Sequence, residues 1–297
     1  MIALQILAPA LLAPLLTFSG AAPGAPAQDP AGPGLPDAKE AAAALERAFA
    51  DAGVRVDSAA KALCFPVSVQ VRDELLEYLL VNPHGAVHEA LFVTQAPAEI
   101  LNAALLALGL ERGENVQYVK KDPQPSEEEL RAGARAFDIV PPTGPGVHLY
   151  ASWKEGDETY FYRVEDLIRD LERGRTMRRH AWVYLGSRWI EGRRNQGQPM
   201  YAAAAEGNLA CVAFFSQGNT LLTAALPECV AQSSWLPNGW LLPRVGADVL
   251  LIASLAPLQA APASMQASVP TVLPEAPEPD AAPGSSEGAA PAGAGGR

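Results

Sequence analysis

The stretch DELLEYLLVNPHGAVHEALFV, residues 73–93, carries the clearest structural pattern in the chain. Its first nine residues are mostly apolar and run into Asn82-Pro83-His84-Gly85, a combination that favours a turn. The second half, AVHEALFV at residues 86–93, is rich in apolar and β-branched side chains and predicts a strand. We therefore expect a turn followed by a core strand at this point.

The segment that follows predicts a helix packed on that strand. Pro97 suits a helix start and Gly109 suits a helix end. Between them, AEILNAALLAL at residues 98–108 repeats its apolar side chains at helical spacing. The face expected to pack on the core consists of Ile100, Leu101, Ala104, Leu105 and Leu108.

The rest of the chain alternates short strand patterns with a few helix patterns. The pattern predicts an α+β fold, a mainly antiparallel β-sheet with a few packed helices in a single globular domain. Predicted helices cover residues 37–52, 127–136 (with Ser126 and Glu129 as a capping box) and 164–174. Predicted strands cover residues 54–56, 65–72, 147–153, 159–164, 180–189, 198–204, 208–215 and 247–255, of which 147–153 and 159–164 form a hairpin.

The two ends of the chain differ from the middle. Residues 2–18 are almost wholly apolar but carry two prolines, and a membrane span needs about 20 apolar residues. This run predicts a secretory signal peptide, residues 1–27, with an uncleaved N-terminal anchor as the alternative. Residues 28–53 are then a linker and peripheral helix. Residues 257–297 contain 8 prolines and few large apolar side chains, which predicts a disordered tail.

Export predicts a periplasmic or extracellular location and no integral membrane span after signal cleavage. Export also makes nucleic acid an unexpected partner. Cys64, Cys211 and Cys229 are too few and too widely spaced for an iron–sulfur cluster, and they suggest no tetrahedral zinc site. Cys211 could pair with Cys229 or with Cys64, or all three could be small buried side chains.

Candidate catalytic residues are few. His88 and Glu89 form an isolated pair, because the zincin pattern would need a second histidine where Phe92 stands. On a strand these neighbours point to opposite faces, so we expect His88 to be a structural residue that pairs with Glu77 or His84. Ser187 follows a glycine but lacks a nucleophile-elbow pattern. The sequence predicts no metal site.

Residues 169–194 form a basic stretch with eight arginines against three acidic residues. Such a stretch could bind an anionic polymer or the acidic surface of a protein partner. The alternative is a solvated surface of arginine–carboxylate pairs. The candidate ligand-binding residues are Trp153, Trp182, Arg178, Arg179 and Arg188.

Residues 54–256 resemble the YdjY-like family, which occurs in planctomycete-type exported proteins. The residues that carry the resemblance, in chain order, are Leu76-Glu77, His88-Glu89, Ala104-Leu105-Leu106, Gly109, Gly144, Trp153, Trp182-Val183, Gly186-Ser187, Tyr201, Gly207 and Leu226-Pro227. The family's usual acids are replaced here by Ala203-Ala204 and Asn208, while Glu206 remains. The resemblance implies no established activity, and the ferredoxin-like label of some relatives conflicts with the three cysteines.

The sequence contains no complete catalytic constellation, so it favours an exported, non-enzymatic binding or interaction module. The alternative is a metal-dependent or hydrolytic enzyme centred on His88, Glu89 and Glu77. Whether the chain is an enzyme stays open at this stage.

Overall fold

The computed structural model describes residues 37–191 and 197–273. The chain divides into two units, residues 1–41 and residues 42–297. The described part of the first unit is residues 37–41, of which 38–41 are helical, and the remaining described residues belong to the second unit. The predicted signal peptide, residues 1–27, lies outside the described residues. Within the described ranges, no helix has both the length and the hydropathy that crossing a membrane requires.

Five α-helices and three short 3-10 helices occur in the described residues. The α-helices are α1 Ala38–Asp51, α2 Ala98–Ala107, α3 Glu127–Arg131, α4 Ala202–Glu206 and α5 Ala263–Gln266; the 3-10 helices are Val87–Glu89, Val164–Leu167 and Pro227–Val230.

Strands make up most of the fold. They are β1 Arg55–Asp57, β2 Ala62–Val69, β3 Tyr78–Val81, β4 Ala90–Val93, β5 Gln117–Lys120, β6 Phe137–Val140, β7 Gly146–Glu155, β8 Glu158–Arg163, β9 Ile168–Asp170, β10 Arg175–Thr176, β11 Trp182–Tyr184, β12 Trp189–Glu191, β13 Pro199–Tyr201, β14 Asn208–Cys211, β15 Leu222–Thr223, β16 Trp235–Pro237 and β17 Asp248–Ser254.

Eight strands close into a barrel. Their order is β2-β17-β7-β11-β15-β14-β3-β4, and β4 pairs with β2 to complete the ring. The pairs β3–β4 and β14–β15 are parallel, and the other six are antiparallel. The prediction of an α+β domain built on a mainly antiparallel sheet is therefore wrong. The fold is mostly β, with a closed barrel and five short α-helices in the described residues. Closure of the sheet gives each barrel strand a partner on both sides, so the barrel has no open edge.

Side chains fill the barrel interior. Leu63, Phe65, Leu149 and Leu251 are all buried there, and α2 packs Leu101 and Leu105 against the same core. The cavity that these side chains line holds only about 20 Å³. Sites for small organic ligands have volumes of about 300–1,000 Å³, so this interior is a core and not a ligand-binding lumen.

Several local predictions are confirmed. The helix predicted at residues 98–108 is α2, and the hairpin predicted around residues 154–158 is β7–β8, with Gly156 at φ +56° in its turn. The predicted capping box forms at α3, where Ser126 and Glu129 bond reciprocally. The strand predicted at 247–255 is β17.

Other local predictions are wrong. Residues 164–174 form a 3-10 turn followed by β9 instead of a helix, because Ile168 and Asp170 are buried where β9 pairs with β16. Residues 86–89 are not part of a strand but form a 3-10 turn before β4. The strand predicted at 198–204 ends at Tyr201, where α4 begins.

The structure also differs from the predicted tail. Residues 257–273 pack on the outer face of β2, β17 and β7, where Met265 and Val269 join Cys64 and Ile252 in a second apolar cluster. Residues 257–273 pack there because the run VLLIAS in β17 is apolar on both faces, so its outer face also needs to be buried. Residues 274–297 lie outside the described residues.

Candidate functional site

A groove of about 560 Å³ lies on the outside of the barrel. We call it the Trp240 groove, because the indole of Trp240 is 92% exposed at its edge. Its lining combines apolar side chains with two arginines and one acid: Arg72, Asp73, Arg169, Leu236, Pro237, Gly239, Trp240 and Val245.

Hydrogen bonds hold the loop that presents Trp240. The Asn238 backbone N–H donates to the Leu167 carbonyl at 2.7 Å, and the Asn238 Nδ2 group donates to the Asp166 carbonyl at 3.1 Å. The Leu241 N–H closes the turn by donating to the Asn238 carbonyl at 2.9 Å. The tryptophan is therefore exposed on a fixed backbone rather than on a loose one.

Arg72 ties this loop to the end of β2. Its Nη2 group donates to the Gly239 carbonyl at 2.6 Å. A Cβ atom at Gly239 would lie 3.2 Å from the Arg72 carbonyl oxygen, which is tighter than ordinary contact. The glycine thus permits the close approach that places a guanidinium beside the exposed indole.

Arg169 supplies a second positive charge to the groove. It lies on β9, opposite Leu236 of β16, and is exposed. Within residues 37–191 and 197–273 it makes no ion pair. Among the described residues, the groove lining contains two arginines, Arg72 and Arg169, and one carboxylate, Asp73. Because Arg169 is exposed and adds a positive charge to this lining, the groove suits an acidic ligand.

Most other described arginines of the basic stretch bond to neighbouring protein groups. Arg178 donates two hydrogen bonds to Glu228, at 2.6 and 2.7 Å, and Arg179 donates two to Asp166, at 2.9 and 2.7 Å. Arg188 donates to the Asn219 side chain at 2.7 Å. Arg193 and Arg194 lie outside the described residues.

The ion pair at Glu228 is strong. The Arg178 guanidinium, through its hydrogen bonds, lowers the pKa of the nearly buried Glu228 to about 2. A carboxylate stabilised in this way neutralises Arg178 over the physiological pH range. The Arg178 guanidinium is therefore engaged in an ion pair within the protein rather than presented to a ligand.

The two candidate tryptophans are inside the protein. Trp153 and Trp182 are 1% and 0% exposed. Trp153 donates its indole N–H to Glu155, and Trp182 donates to Glu165, each at 3.0 Å. Neither ring presents a face to a ligand in solution.

Glu165 is the centre of a buried ionic cluster. Its carboxylate is 0% exposed and accepts two hydrogen bonds from Arg163, at 3.0 and 2.7 Å, besides the one from Trp182. Burial lowers the pKa of the adjacent His180 and of His148, which disfavours a further positive charge beside Arg163. This cluster joins β8, the following 3-10 turn and β11.

The structure brings Glu77, His88 and Glu89 together on the surface. His88 Nε2 lies 3.6 Å from Glu89 Oε1, and the His88 side chain is 76% exposed. Burial raises the pKa of Glu77, and the Glu89 carboxylate raises it further. The expectation that His88 and Glu89 point to opposite faces is wrong, because the 3-10 turn removes the alternation of a strand.

These three residues do not form a recognisable metal centre. Among the residues that the structure describes, no group of three or more His, Cys, Asp or Glu side chains could hold a metal ion. The imidazole beside Glu77 and Glu89 lies open to solvent.

Ser187 is fully buried and lies in the left-handed region at φ +53°. Its hydroxyl donates to the Asn219 carbonyl at 2.6 Å and accepts the Ala203 backbone N–H at 3.0 Å. Arg112 donates to the Ser187 carbonyl. The side chain thus fastens the start of α4 to the loop before β15, and it is not placed as a nucleophile.

The three cysteines are buried free thiols. Burial raises the pKa of Cys64 to about 11 and raises the pKa of Cys211 and Cys229 as well. Of the two alternatives for the cysteines, small buried side chains are therefore confirmed, and the predicted disulfide is not formed. A thiol that resists ionisation is a poor nucleophile and metal ligand.

Asn208, which stands where the resemblance leads us to expect an acid, and the nearby Glu206 both have hydrogen-bond partners. The Asn208 side-chain oxygen accepts the Ala86 N–H at 3.0 Å, across the turn that follows β3. Glu206 accepts a hydrogen bond from Asn219 at 2.6 Å. Both side chains are thus engaged within the fold.

Sequence reasoning missed Trp240. Its signal is the segment PNGW at residues 237–240, in which Asn-Gly marks a turn and a large aromatic residue follows directly. An aromatic side chain at such a turn has no strand or helix face on which to be buried.

The geometry defines a barrel domain that is filled with side chains inside and carries an exposed tryptophan in a groove lined also by two arginines. The family model of the YdjY domain matches residues 54–254, which is more than half of the chain. The chain therefore belongs to the YdjY domain family, as the resemblance in its sequence indicated, and the function of this family is uncharacterised. Comparisons with curated proteins and with solved structures gave no match.

Proposed function

We propose that the chain is an exported, non-enzymatic binding module that recognises an acidic, extended polypeptide through the Trp240 groove. The observation that carries the proposal is the fixed exposure of Trp240 in a groove that Arg72 and Arg169 also line. Tryptophan and arginine are the residue types that most often dominate binding energy at protein interfaces.

The groove chemistry supports an extended and acidic partner. Trp240, Pro237 and Val245 supply an apolar, partly aromatic wall of the kind on which proline-rich segments dock. The exposed Arg169 guanidinium supplies hydrogen-bond donors that match a carboxylate in pairs, and Arg72 adds a second positive charge to the lining. A fixed loop reduces the ordering cost of binding, since less freedom is lost.

The candidate catalytic residues support a binding role over hydrolysis. Ser187 uses its hydroxyl in two structural hydrogen bonds, and His88 is exposed beside two carboxylates. The barrel interior has no space for a substrate.

Export is supported by the apolar run at residues 2–18 and the small residues after it. Cell fractionation checks this part of the proposal: a shortened chain that begins near Gln28 should be found outside the cytoplasm. A full-length cytoplasmic chain would contradict it.

Binding is tested with a fluorescent ten-residue peptide of alternating proline and glutamate, titrated into the full chain at low salt. We expect Trp240→Ala to weaken binding at least tenfold. Trp189→Ala is the matched control, because Trp189 is 69% exposed but does not line the groove. Equal binding by Trp240→Ala and the unaltered chain would overturn the proposal.

A further inference from the structure

We infer that residues 274–283 of the same chain occupy the Trp240 groove and compete there with the partner. The inference rests on the proposed function and adds its regulation. Three observations support the inference: the path of the chain up to Leu273, the position of the Trp240 groove, and the complementary chemistry of residues 274–283 and the groove.

The last described residues run along the end of β7. The Lys154 N–H donates to the Pro270 carbonyl and the Val272 N–H donates to the Lys154 carbonyl, both at 2.8 Å. In the register of β17 with β7, Leu250 faces Ser152. Lys154 therefore lies level with the start of β17, and the chain continues from Leu273 at this end of the barrel.

The Trp240 groove lies at the same end. The Gly246 N–H, beside groove residue Val245, donates to the carbonyl of Val69, the last residue of β2. Arg72 follows β2 by three residues and bonds the Gly239 carbonyl. The end of β2, the start of β17 and the end of β7 are neighbours in the sheet.

Residues 274–283 are long enough to reach the Trp240 groove from Leu273. Three adjacent strands span about 10 Å, since neighbouring strands lie about 4.8 Å apart. Ten residues in an extended proline-type conformation cover about 31 Å. Leu273, the last described residue, is 70% exposed at the surface of the protein.

The chemistry of the segment complements the groove. Residues 274–283, PEAPEPDAAP, hold four prolines and the acids Glu275, Glu278 and Asp280, with no basic residue. Prolines suit the indole and the apolar wall, and the carboxylates suit Arg72 and Arg169. Because the segment is tethered, its effective concentration is of the order of millimolar, so even weak affinity keeps the groove occupied.

The test uses the proline–glutamate peptide and the full chain throughout. In one variant Glu275, Glu278 and Asp280 are all changed to Lys, which should abolish occupancy by the segment. The matched control changes Glu40, Glu46 and Asp51 on α1 to Lys, since these exposed acids alter the net charge equally. We expect the segment variant to bind the peptide at least tenfold more tightly than the unaltered chain, and the control variant not to.

The outcomes separate the two proposals. Equal affinity in the segment variant and the α1 control, with binding lost on Trp240→Ala, would overturn occupancy by the segment and leave the binding module standing. Absence of binding in every variant would overturn both. Tighter binding by the segment variant that disappears when Trp240→Ala is added supports both.

Discussion

Ser187 shows how one residue can look chemical in a sequence and be structural in the fold. It adopts φ +53°, directly after Gly186 at φ +65°, so two successive residues are left-handed. This conformation is uncommon for a residue with a Cβ atom. Hydrogen bonds to Ala203 and Asn219, and one from Arg112, maintain it.

Ser187→Ala should lower the free energy of unfolding by about 1–3 kcal/mol, because the Ala203 N–H and the Asn219 carbonyl would lose their shared partner. Ser187→Gly loses the same bonds but relieves a left-handed backbone strain of about 1 kcal/mol, so it should cost less. Urea denaturation measures both. An alanine variant as stable as the unaltered chain would contradict the structural role.

Among the elements, arginine pairs connect segments that strands do not. Arg178 follows β10 and holds the 3-10 helix Pro227–Val230 through Glu228. Arg179 holds the 3-10 helix Val164–Leu167 through Asp166. Glu228 is 7% exposed and Asp166 is 18% exposed, while their partners Arg178 and Arg179 are 48% and 63% exposed. The Arg178–Glu228 pair is therefore the more buried of the two, and we expect it to be the stronger.

Glu228→Gln should lower the free energy of unfolding at pH 7 by about 1–3 kcal/mol. The folded pKa of Glu228, about 2, lies below its ordinary 4.5. The contribution of the carboxylate is therefore fully present above pH 4.5 and is lost as the pH falls towards 2. In denaturation curves from pH 2 to 7, the variant should lack this dependence.

The matched variant Asp166→Asn tests the weaker pair. Solvent screens an exposed ion pair, so we expect a change of about 0–1 kcal/mol. A larger loss for Asp166→Asn than for Glu228→Gln would contradict the ranking by burial.

Elements were predictable where the deciding contacts are local. The apolar face of α2, the turn at Gly156 and the capping box at Ser126 depend on residues a few positions apart. The strand within residues 164–174 was not predictable, because the apolar spacing of this segment fits both a helix and a buried strand. Only the pairing of β9 with β16 decides between the two. Barrel closure depends on β2 meeting β4 and β17, which no local pattern specifies.

The candidate site was predictable only in part. Glu77, His88 and Glu89 cluster on the surface. A strand at this point would place His88 and Glu89 on opposite faces, but the chain forms a 3-10 helix there. Trp153 and Trp182 were expected to contact a ligand, but their indole N–H groups bond to Glu155 and Glu165 inside the fold. Burial of an aromatic side chain depends on neighbours distant in sequence, which composition does not reveal.

For the whole molecule, residues 257–273 extend the domain beyond the last barrel strand. Met265 is 1% exposed and covers Cys64, Tyr150 and Ile252 on the outside of the barrel. The chain therefore buries the barrel sheet on both faces along this side. Stability should depend on this cover although it contains no strand of the barrel.

Deleting residues 257–297 should lower the melting temperature by many degrees, because it exposes the outer face of β17. Deleting only residues 274–297 is the control and should cost much less. Met265→Ala is the milder variant and should cost about 2–5 kcal/mol. Thermal unfolding followed by circular dichroism measures all three. A melting temperature unchanged by the longer deletion would contradict the packing of residues 257–273.

The place of β17 in the barrel also sets when the protein can fold. Residues 248–254 are the last barrel strand to leave the ribosome, yet they lie between β2 and β7, which were synthesised long before. A nascent chain that stops short of residue 248 has two unpaired strand edges and no ring. Pairing of such distant segments is slow. The barrel therefore cannot close before β17 has been synthesised, and the growing chain stays accessible to chaperones until this last barrel strand arrives.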